Sequence, residues 1–347
     1  MSETSAMKSA LATLLEGRPL TRTEAQEVME TIMDGEATPA QIGALLSLLR
    51  VKGETAEEVA GFAEGMRSRV QRVPTLQEGL LDTCGTGGDG QHTFNISTTA
   101  ALVAAAGGVR VAKHGNRAMS SKSGSADVLE ALGVHIDLGR EQAAECLQEA
   151  GLCFMFAQVY HPSMRHAAAP RKELGFRTVF NLLGPLTNPA GADRQLLGVY
   201  DRSKTELMAH VLRKLGTVRA LVVGSHDGLD EISLSSPTRV TELKDGMLRT
   251  YDITPDDLGL RPCGIADIAG GDAAENAEKV RYVLSGAKGP YRDIVLANAG
   301  ACFYVSGLSG TLQEGVKRAA DAIDSGAAQR KLDQLVKTTE ALKHVSR

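Results

Sequence analysis

The sequence predicts an α/β protein in two parts: a small all-helical N-terminal domain and a larger α/β domain with a central, mostly parallel sheet flanked by helices. Residues 1–74 carry helical periodicity and helix-start signals with no strand pattern between them. After Gly79, short apolar runs alternate with helical stretches, the signature of a parallel sheet covered on both faces. The length of 347 residues is long for one core and suits two domains of unequal size.

In the helical part, Thr21 with Glu24, Thr38 with Gln41, and Thr55 with Glu58 each form a capping box, the threonine reaching forward and the acid or amide reaching back. Pro39 sits at a first helical position, where its missing N–H costs nothing. Ile42, Leu45, Leu46 and Leu49, then Val59, Phe62, Ala63, Met66 and Val70, recur at helical spacing. Pro74 closes this region, and the 162–188 stretch is expected to fold back and complete it.

The larger domain, 75–347, begins with a strand at Leu80–Leu81 that leads into a glycine-rich loop. Ser97–Ala106 reads as a helix, Val109–Ala112 as a strand, and Ala126–Leu132 and Glu141–Ala150 as helices stopped by Gly133 and Gly151. Leu152–Ala157, Ala220–Val223 and Ile294–Asn298 read as buried strands. Lys244-Asp245-Gly246-Met247 reads as a hairpin turn, and two helices follow near Gln313–Asp324 and Ala327–Leu342. Ligands of such sheets bind at the carboxyl ends of the strands, so the chemistry is expected in the loops that follow them.

Composition narrows the classes. With 43% hydrophobic and 23% charged residues the chain is an ordinary globular one, and a net charge of −4 offers no general field for nucleic acid or anionic lipid. The five cysteines include no CxxC pair, so neither a disulfide framework nor a zinc site is expected and a reducing, cytoplasmic setting is. The most apolar stretch, Ala100–Val111, is broken by Gly107 and Gly108 and is too short to span a bilayer.

An anion site must therefore be local. Asp82 to Gly90 holds four glycines within six positions, Gly85, Gly87, Gly88 and Gly90, which packing alone does not explain. Glycines let backbone N–H groups approach and converge on a phosphate. Ser97, Thr98 and Thr99 at the next helix start add hydroxyls and a positive helix end. Gly85-x-Gly87-x-x-Gly90 also fits the dinucleotide fingerprint, but the second strand ends in Lys113-His114 where that motif wants an acid. No Gly-Lys-Ser/Thr triplet of a P-loop follows either. Lys113–Ser125 packs three cations, four serines and two glycines into thirteen residues and reads as a second phosphate cradle. Two cradles side by side imply one ligand with two separated phosphate groups.

Four motifs, in order along nearly the whole chain, carry a resemblance. Gly85-Thr86-Gly87-Gly88-Asp89-Gly90 resembles the pyrophosphate loop of the anthranilate phosphoribosyltransferases. Lys113-His114-Gly115-Asn116-Arg117-Ala118, followed by Ser121-Lys122-Ser123-Gly124-Ser125-Ala126-Asp127, resembles their second loop. Phe180-Asn181-Leu182-Leu183-Gly184-Pro185-Leu186-Thr187-Asn188-Pro189 and Asp227-Gly228-Leu229-Asp230-Glu231 resemble their third and acidic signatures. Met119 stands where a smaller aliphatic residue is expected.

The resemblance implies an Mg²⁺-dependent pentosyltransferase of tryptophan biosynthesis that joins anthranilate to the ribose of phosphoribosyl pyrophosphate. It implies phosphoribosyl pyrophosphate contacts from Gly85, Gly88, Asp89, Thr93, Asn95, Ile96, Ser97, Thr98, Lys113, His114, Gly115, Asn116, Arg117, Ala118, Met119, Ser120, Ser121 and Ser125. Lys113 and His114 would give electrostatic support, with no covalent nucleophile. Gly85, Asn116 and Arg171 would meet anthranilate. The residues alone leave Arg165 and Arg177 open as alternatives to Arg171 for the acceptor carboxylate. Asp230-Glu231, on spacing alone a solvated acidic turn, becomes by resemblance a site for two Mg²⁺ ions per subunit, with Glu231 shared and Ser97 as hydroxyl ligand. A homodimer through the helical domain is expected, without nucleic-acid or membrane partners. No attached glutamine amidotransferase region is expected. A pyrimidine nucleoside phosphorylase-like enzyme has a similar fold but should not need the Asn181–Asn188 stretch. A non-catalytic nucleic-acid-binding relative should show a broad basic surface, which the charge of −4 opposes.

Overall fold

Helices α1 (Thr4–Leu15), α2 (Arg22–Met33), α3 (Pro39–Lys52) and α4 (Ala56–Ser68) open the chain. The structure, a computed structural model, describes residues 4–118 and 122–343. All three capping boxes form, with Thr21, Thr38 and Thr55 accepting from the backbone N–H groups of Glu24, Gln41 and Glu58. Each such cap contributes about 1 kcal/mol. Glu58 is fully buried and serves beyond its own helix. It also accepts from the Leu20 N–H at 3.0 Å and the Lys52 ammonium at 2.8 Å, so one carboxylate joins the start of α2, the end of α3 and the start of α4.

The remainder runs β1 (Leu81–Gly85), α5 (Ile96–Ala106), β2 (Val111–Gly115), α6 (Ser125–Ala131), α7 (Arg140–Ala150), β3 (Leu152–Phe156), α8 (Ala157–Tyr160), α9 (Arg165–Leu174) and α10 (Phe180–Leu183). It continues with β4 (Arg194–Gly198), α11 (Thr205–Lys214), β5 (Arg219–Ser225), β6 (Thr238–Lys244), β7 (Met247–Ile253), α12 (Ala273–Leu284), α13 (Pro290–Val305), α14 (Leu312–Asp324) and α15 (Ala327–Lys343). The sheet order is β3-β2-β1-β4-β5-β6-β7; β1 to β5 are parallel and β6 and β7 add an antiparallel edge. The expected hairpin is there, turning through Asp245 (φ 53°) and Gly246 (φ 74°), both left-handed as a two-residue turn between twisted strands requires. The chain winds outward from β1 to β3 and then returns to β4 on the other side of β1. That reversal makes a crevice beyond the carboxyl ends of β1 and β4, where doubly wound sheets bind ligands.

The sheet separates two cores. Leu196, Leu221, Val223 and Val240 face one, with α5, α13 and α14; Leu197, Val199, Ala220 and Val222 face the other. The second core also holds the apolar faces of α1 to α4 and α11, with Ala167, Val179, Phe180, Leu182, Leu183 and Leu186 from the 162–188 stretch. The helical part therefore shares its core with one face of the sheet.

One expectation is overturned. Ile294–Asn298 is not a strand but the middle of α13. Residues 294–303 are buried without a break, so the helix has no polar face, and a short buried run shows no period that separates helix from strand. Strand β4 escaped notice because it starts on Arg194 and Gln195. Strand β2 lies two to three residues later than the Val109–Ala112 reading. No described helix is long and apolar enough to cross a membrane.

Candidate active site

The glycine loop leaves β1 at the crevice. Gly87, Gly88 and Gly90 all adopt left-handed φ of 69° to 75°, which a side chain would strain. Gly85 is glycine for another reason: a Cβ there would overlap the carboxylate of Asp230. Gly198, its register partner at the end of β4, leaves room for the Asp230 carbonyl in the same way. Packing thus accounts for one glycine of the loop after all. Asp230 lies on the two strand ends, and its Oδ2 accepts from the Gly87 N–H at 2.8 Å.

Glu231 Oε1 accepts from the Ser97 N–H at 3.1 Å, at the start of α5. Asn95 precedes this helix but does not cap it; its amide binds the Ser123 carbonyl (3.2 Å) and accepts from Asn276 (2.9 Å). The first turn of α5 has no cap from its own N-cap residue and meets the Glu231 carboxylate instead. Burial, then the charge of Asp89, pushes Asp230 well above the usual carboxylate range, and burial, then Asp230, does the same to Glu231. This is a cluster of negative charge with too little positive charge around it. The cation near it is Lys113, whose ammonium donates to the Thr83 carbonyl and to Ser97 Oγ at 3.3 Å.

Below these groups lies a buried polar layer. Asp82 accepts from the His114 N–H (3.1 Å) and from Asn188 Nδ2 (2.8 Å), which also donates to the Ala112 carbonyl at 2.7 Å. Burial holds the Asp82 carboxyl up at about 6 despite Lys113 and these bonds. His114 and His161 face each other with ring centroids 5.0 Å apart. Each ring makes a hydrogen bond to backbone of the third signature, His114 to Gly184 and His161 to Thr187, and each leaves a buried Nε2 without a partner among the described residues. Burial depresses His114 to about 3 and His161 to about 4, so both rings are neutral at pH 7. The Cys84 thiol beneath the loop is pushed up by burial and offers no nucleophile.

Arg171 extends from α9 over the Phe180 ring at 4.8 Å, partly buried and in no ion pair among the described residues. Arg177 is engaged: it donates to the Gly88 carbonyl and covers the Tyr200 ring at 3.8 Å. Arg165 is exposed.

This arrangement has known counterparts. The a/b domain model of the glycosyl transferase family matches residues 77–329, and the helical bundle domain model of the same family matches residues 8–70. The anthranilate phosphoribosyltransferase of Brevibacillus brevis is 56% identical over 97% of this chain and 99% of its own, and that of Acetivibrio thermocellus is 51% identical over 96% and 97%. The chain belongs to the anthranilate phosphoribosyltransferase family. Among solved structures, the anthranilate phosphoribosyltransferase of Thermus thermophilus superposes with a TM-score of 0.91 at 46% identity, covering 95% of this chain and 99% of that one. The Saccharomyces cerevisiae enzyme in complex with phosphoribosyl pyrophosphate and Mg superposes with a TM-score of 0.89 at 28% identity, covering 96% and 98%.

Against that family background, the fold brings Gly85, Gly88, Asp89, Ser97, Thr98, Lys113, Asp230 and Glu231 to one crevice from four separate segments. Thr93 bridges to Ala269, so the loop before α5 is fastened to the 268–270 segment. Asn116 accepts from the Arg117 N–H at 2.8 Å, and Gly115 packs on Phe154 and Ser125. Arg117 is diverted: its guanidinium pairs with Asp127 and Glu130 of α6 at 2.9 and 2.5 Å. Asp127 also takes the Ala118 and Gly124 N–H groups and so shapes the second loop from within. Met119, Ser120 and Ser121 lie outside the described residues. His161, Asn188, Asn276 and Asn298 were not singled out in the sequence as site residues. None stands out from its neighbours in the chain, and only its burial in three dimensions marks it.

Proposed function

We propose that the protein transfers the phosphoribosyl group of phosphoribosyl pyrophosphate to the amine of anthranilate, giving N-(5-phosphoribosyl)anthranilate and pyrophosphate, a step of tryptophan biosynthesis. The observation that carries this is the meeting, at the switch point of the sheet, of a glycine loop, the start of α5, Lys113 and two half-buried acids.

The acids fit Mg²⁺. Asp230 and Glu231 are oxygen donors lacking counter-charge, and among the described residues no group of three His, Cys, Asp or Glu would hold an ion alone. That suits an ion that takes one or two carboxylates and completes its shell with substrate phosphates. Asp230, Glu231 and the Ser97 hydroxyl would hold it, two ions per subunit with Glu231 common to both. Bound there, it would offset the charge of the departing pyrophosphate.

The chain's own residues supply the rest. Loop N–H groups, the first turn of α5 and Lys113 are donors set in place before charge develops on the leaving oxygen. Gly88, Asp89, Thr93, Asn95, Ile96, Thr98, the Lys113–Ala118 segment and Ser125 would surround the phosphoribosyl moiety. Arg171 meets the anthranilate carboxylate, with Gly85 and Asn116 beside the ring. The C1–O bond to pyrophosphate breaks as the amine nitrogen bonds to C1, and the nitrogen then sheds a proton. The arylamine is neutral before attack and its product cation is acidic, so a weak base suffices. Orientation of the two substrates supplies much of the remaining rate.

Residues 1–74, completed by 162–188, form the helical domain in this reading, and 75–347 the phosphoribosyl pyrophosphate domain. The protein acts as a cytoplasmic homodimer through the helical domain, where Leu15 and Val51 leave apolar surface uncovered.

The test mixes the protein with anthranilate, phosphoribosyl pyrophosphate and Mg²⁺ and follows anthranilate fluorescence. A decay that needs all three components supports the proposal. No decay from folded protein overturns it and directs attention to nucleosides with phosphate.

A further inference from the structure

Residues 230–232 do not lie in a strand, yet Ile232 is hydrogen-bonded as if they did. Its partner is the side chain of Asn298, in the middle of α13 and fully buried. Asn298 Oδ1 accepts from the Ile232 N–H at 3.0 Å, and Asn298 Nδ2 donates to the Ile232 carbonyl at 3.0 Å. The second amide hydrogen goes to the Ile294 carbonyl at 3.0 Å, one turn back, which fixes the rotation of the amide. A primary amide presents the same donor–acceptor pair as a strand edge, and here it replaces one.

The location gives this clamp its use. The Ile232 N–H belongs to the peptide group that follows Glu231, so holding it sets the direction in which Glu231 leaves the backbone. On the other side, Gly85 and Gly198 seat Asp230 on the strand ends. Two adjacent acids repel one another, with Asp89 near them, and a short loop is free to relieve the repulsion by rotating. The amide holds that backbone without adding charge.

We propose that Asn298 is a positioning residue for the acidic pair, aiming Glu231 at the metal–pyrophosphate position through the Ile232 backbone. The inference rests on the reading of Asp230 and Glu231 as metal ligands. Loss of a partner that orients a ligand typically lowers metal affinity 10–100-fold.

The test is Mn²⁺ binding in the presence of phosphoribosyl pyrophosphate, read from the electron paramagnetic resonance of free Mn²⁺, alongside steady-state kinetics. In Asn298→Ala the Mn²⁺ half-saturation should rise about tenfold or more, with the KM for anthranilate within about twofold and kcat recovering at high metal. Asn298→Ser leaves space for a water to satisfy the Ile232 groups, and carries the test if the alanine variant does not fold. Unchanged Mn²⁺ half-saturation in a folded variant overturns the proposal, and so does a kcat that no metal concentration restores. Glu231→Gln separates the two ideas: if it binds Mn²⁺ like the parent, the metal reading itself fails.

Discussion

The two loops at the crevice are built on opposite plans. The first holds glycines and Asp89 and sits against two half-buried acids, so the loop proposed to receive pyrophosphate faces negative charge. The second is rich in cations and hydroxyls, yet its Arg117 is already neutralised by Asp127 and Glu130. Charge counted along the chain therefore misstates the field the ligand would meet. The acidic side needs a cation before it can hold an anion, and the basic side offers mainly Lys113 and backbone donors.

The largest expected effect breaks the acidic side. Asp230→Asn with Glu231→Gln should lower Mg²⁺-dependent turnover by roughly 10³-fold, in the range of losing preorganised charge stabilisation. Persistence of metal-dependent turnover in that variant would remove the pair from the mechanism. Next, Lys113→Met should cost about 10²-fold in kcat/KM for phosphoribosyl pyrophosphate, because its ammonium is the positive charge that reaches Ser97. Arg171→Ala should raise the KM for anthranilate about thirtyfold with kcat little changed, the size of one lost charge-assisted bond. An unchanged KM would hand the acceptor carboxylate to Arg165 or Arg177.

A pH experiment sharpens the contrast in the layer beneath. His161 titrates near 6.5 when unfolded and near 4 when folded. The unfolded chain therefore binds a proton that the folded chain refuses, and this contribution to stability is present above pH 6.5 and lost as pH falls toward 4. Between pH 7 and 5 it amounts to about 2 kcal/mol. Urea denaturation of His161→Asn should show a loss smaller by that amount over the same interval; an identical loss in the parent would mean the imidazole is not held neutral. The smallest effect is Arg117→Gln. If its charge is spent on α6, kcat/KM should move less than about threefold and stability by under about 1 kcal/mol. A hundredfold fall would show that the guanidinium leaves Asp127 and Glu130 for the substrate.

Much of this site was legible because its motifs are contiguous. Gly85–Gly90, Lys113–Ser125 and Asp230-Glu231 are short segments in which the chemistry and the chain coincide, and the alternation of strands and helices placed two of them at strand ends. The capping boxes of α2, α3 and α4 were legible for the same reason, since each signal spans four residues. What escaped depends on distance. Asn298 clamps Ile232 from 66 residues away, Asn188 reaches Asp82 across 106, and His161 matters through the ring of His114. The misassigned strand at Ile294–Asn298 belongs here too. A helix buried on all sides loses the polar stripe that would reveal its period, and Asn298, the odd residue in the run, is polar because of a loop elsewhere.

The shared core beneath the sheet has a consequence for cutting the chain. Leu197, Val199, Ala220 and Val222 pack with the N-terminal helices, and Lys204 with Glu54 and Lys214 with Glu57 tie α11 and the turn before it to the same bundle. A fragment ending at Pro74 would carry away one wall of that core and leave the other wet. Neither piece should be soluble and native alone, yet the two, mixed or co-expressed, should find each other through complementary apolar faces. The connection between Pro74 and Thr75 is then dispensable as a covalent link, and fragment complementation across it would turn the protein into a two-part reporter of its own assembly.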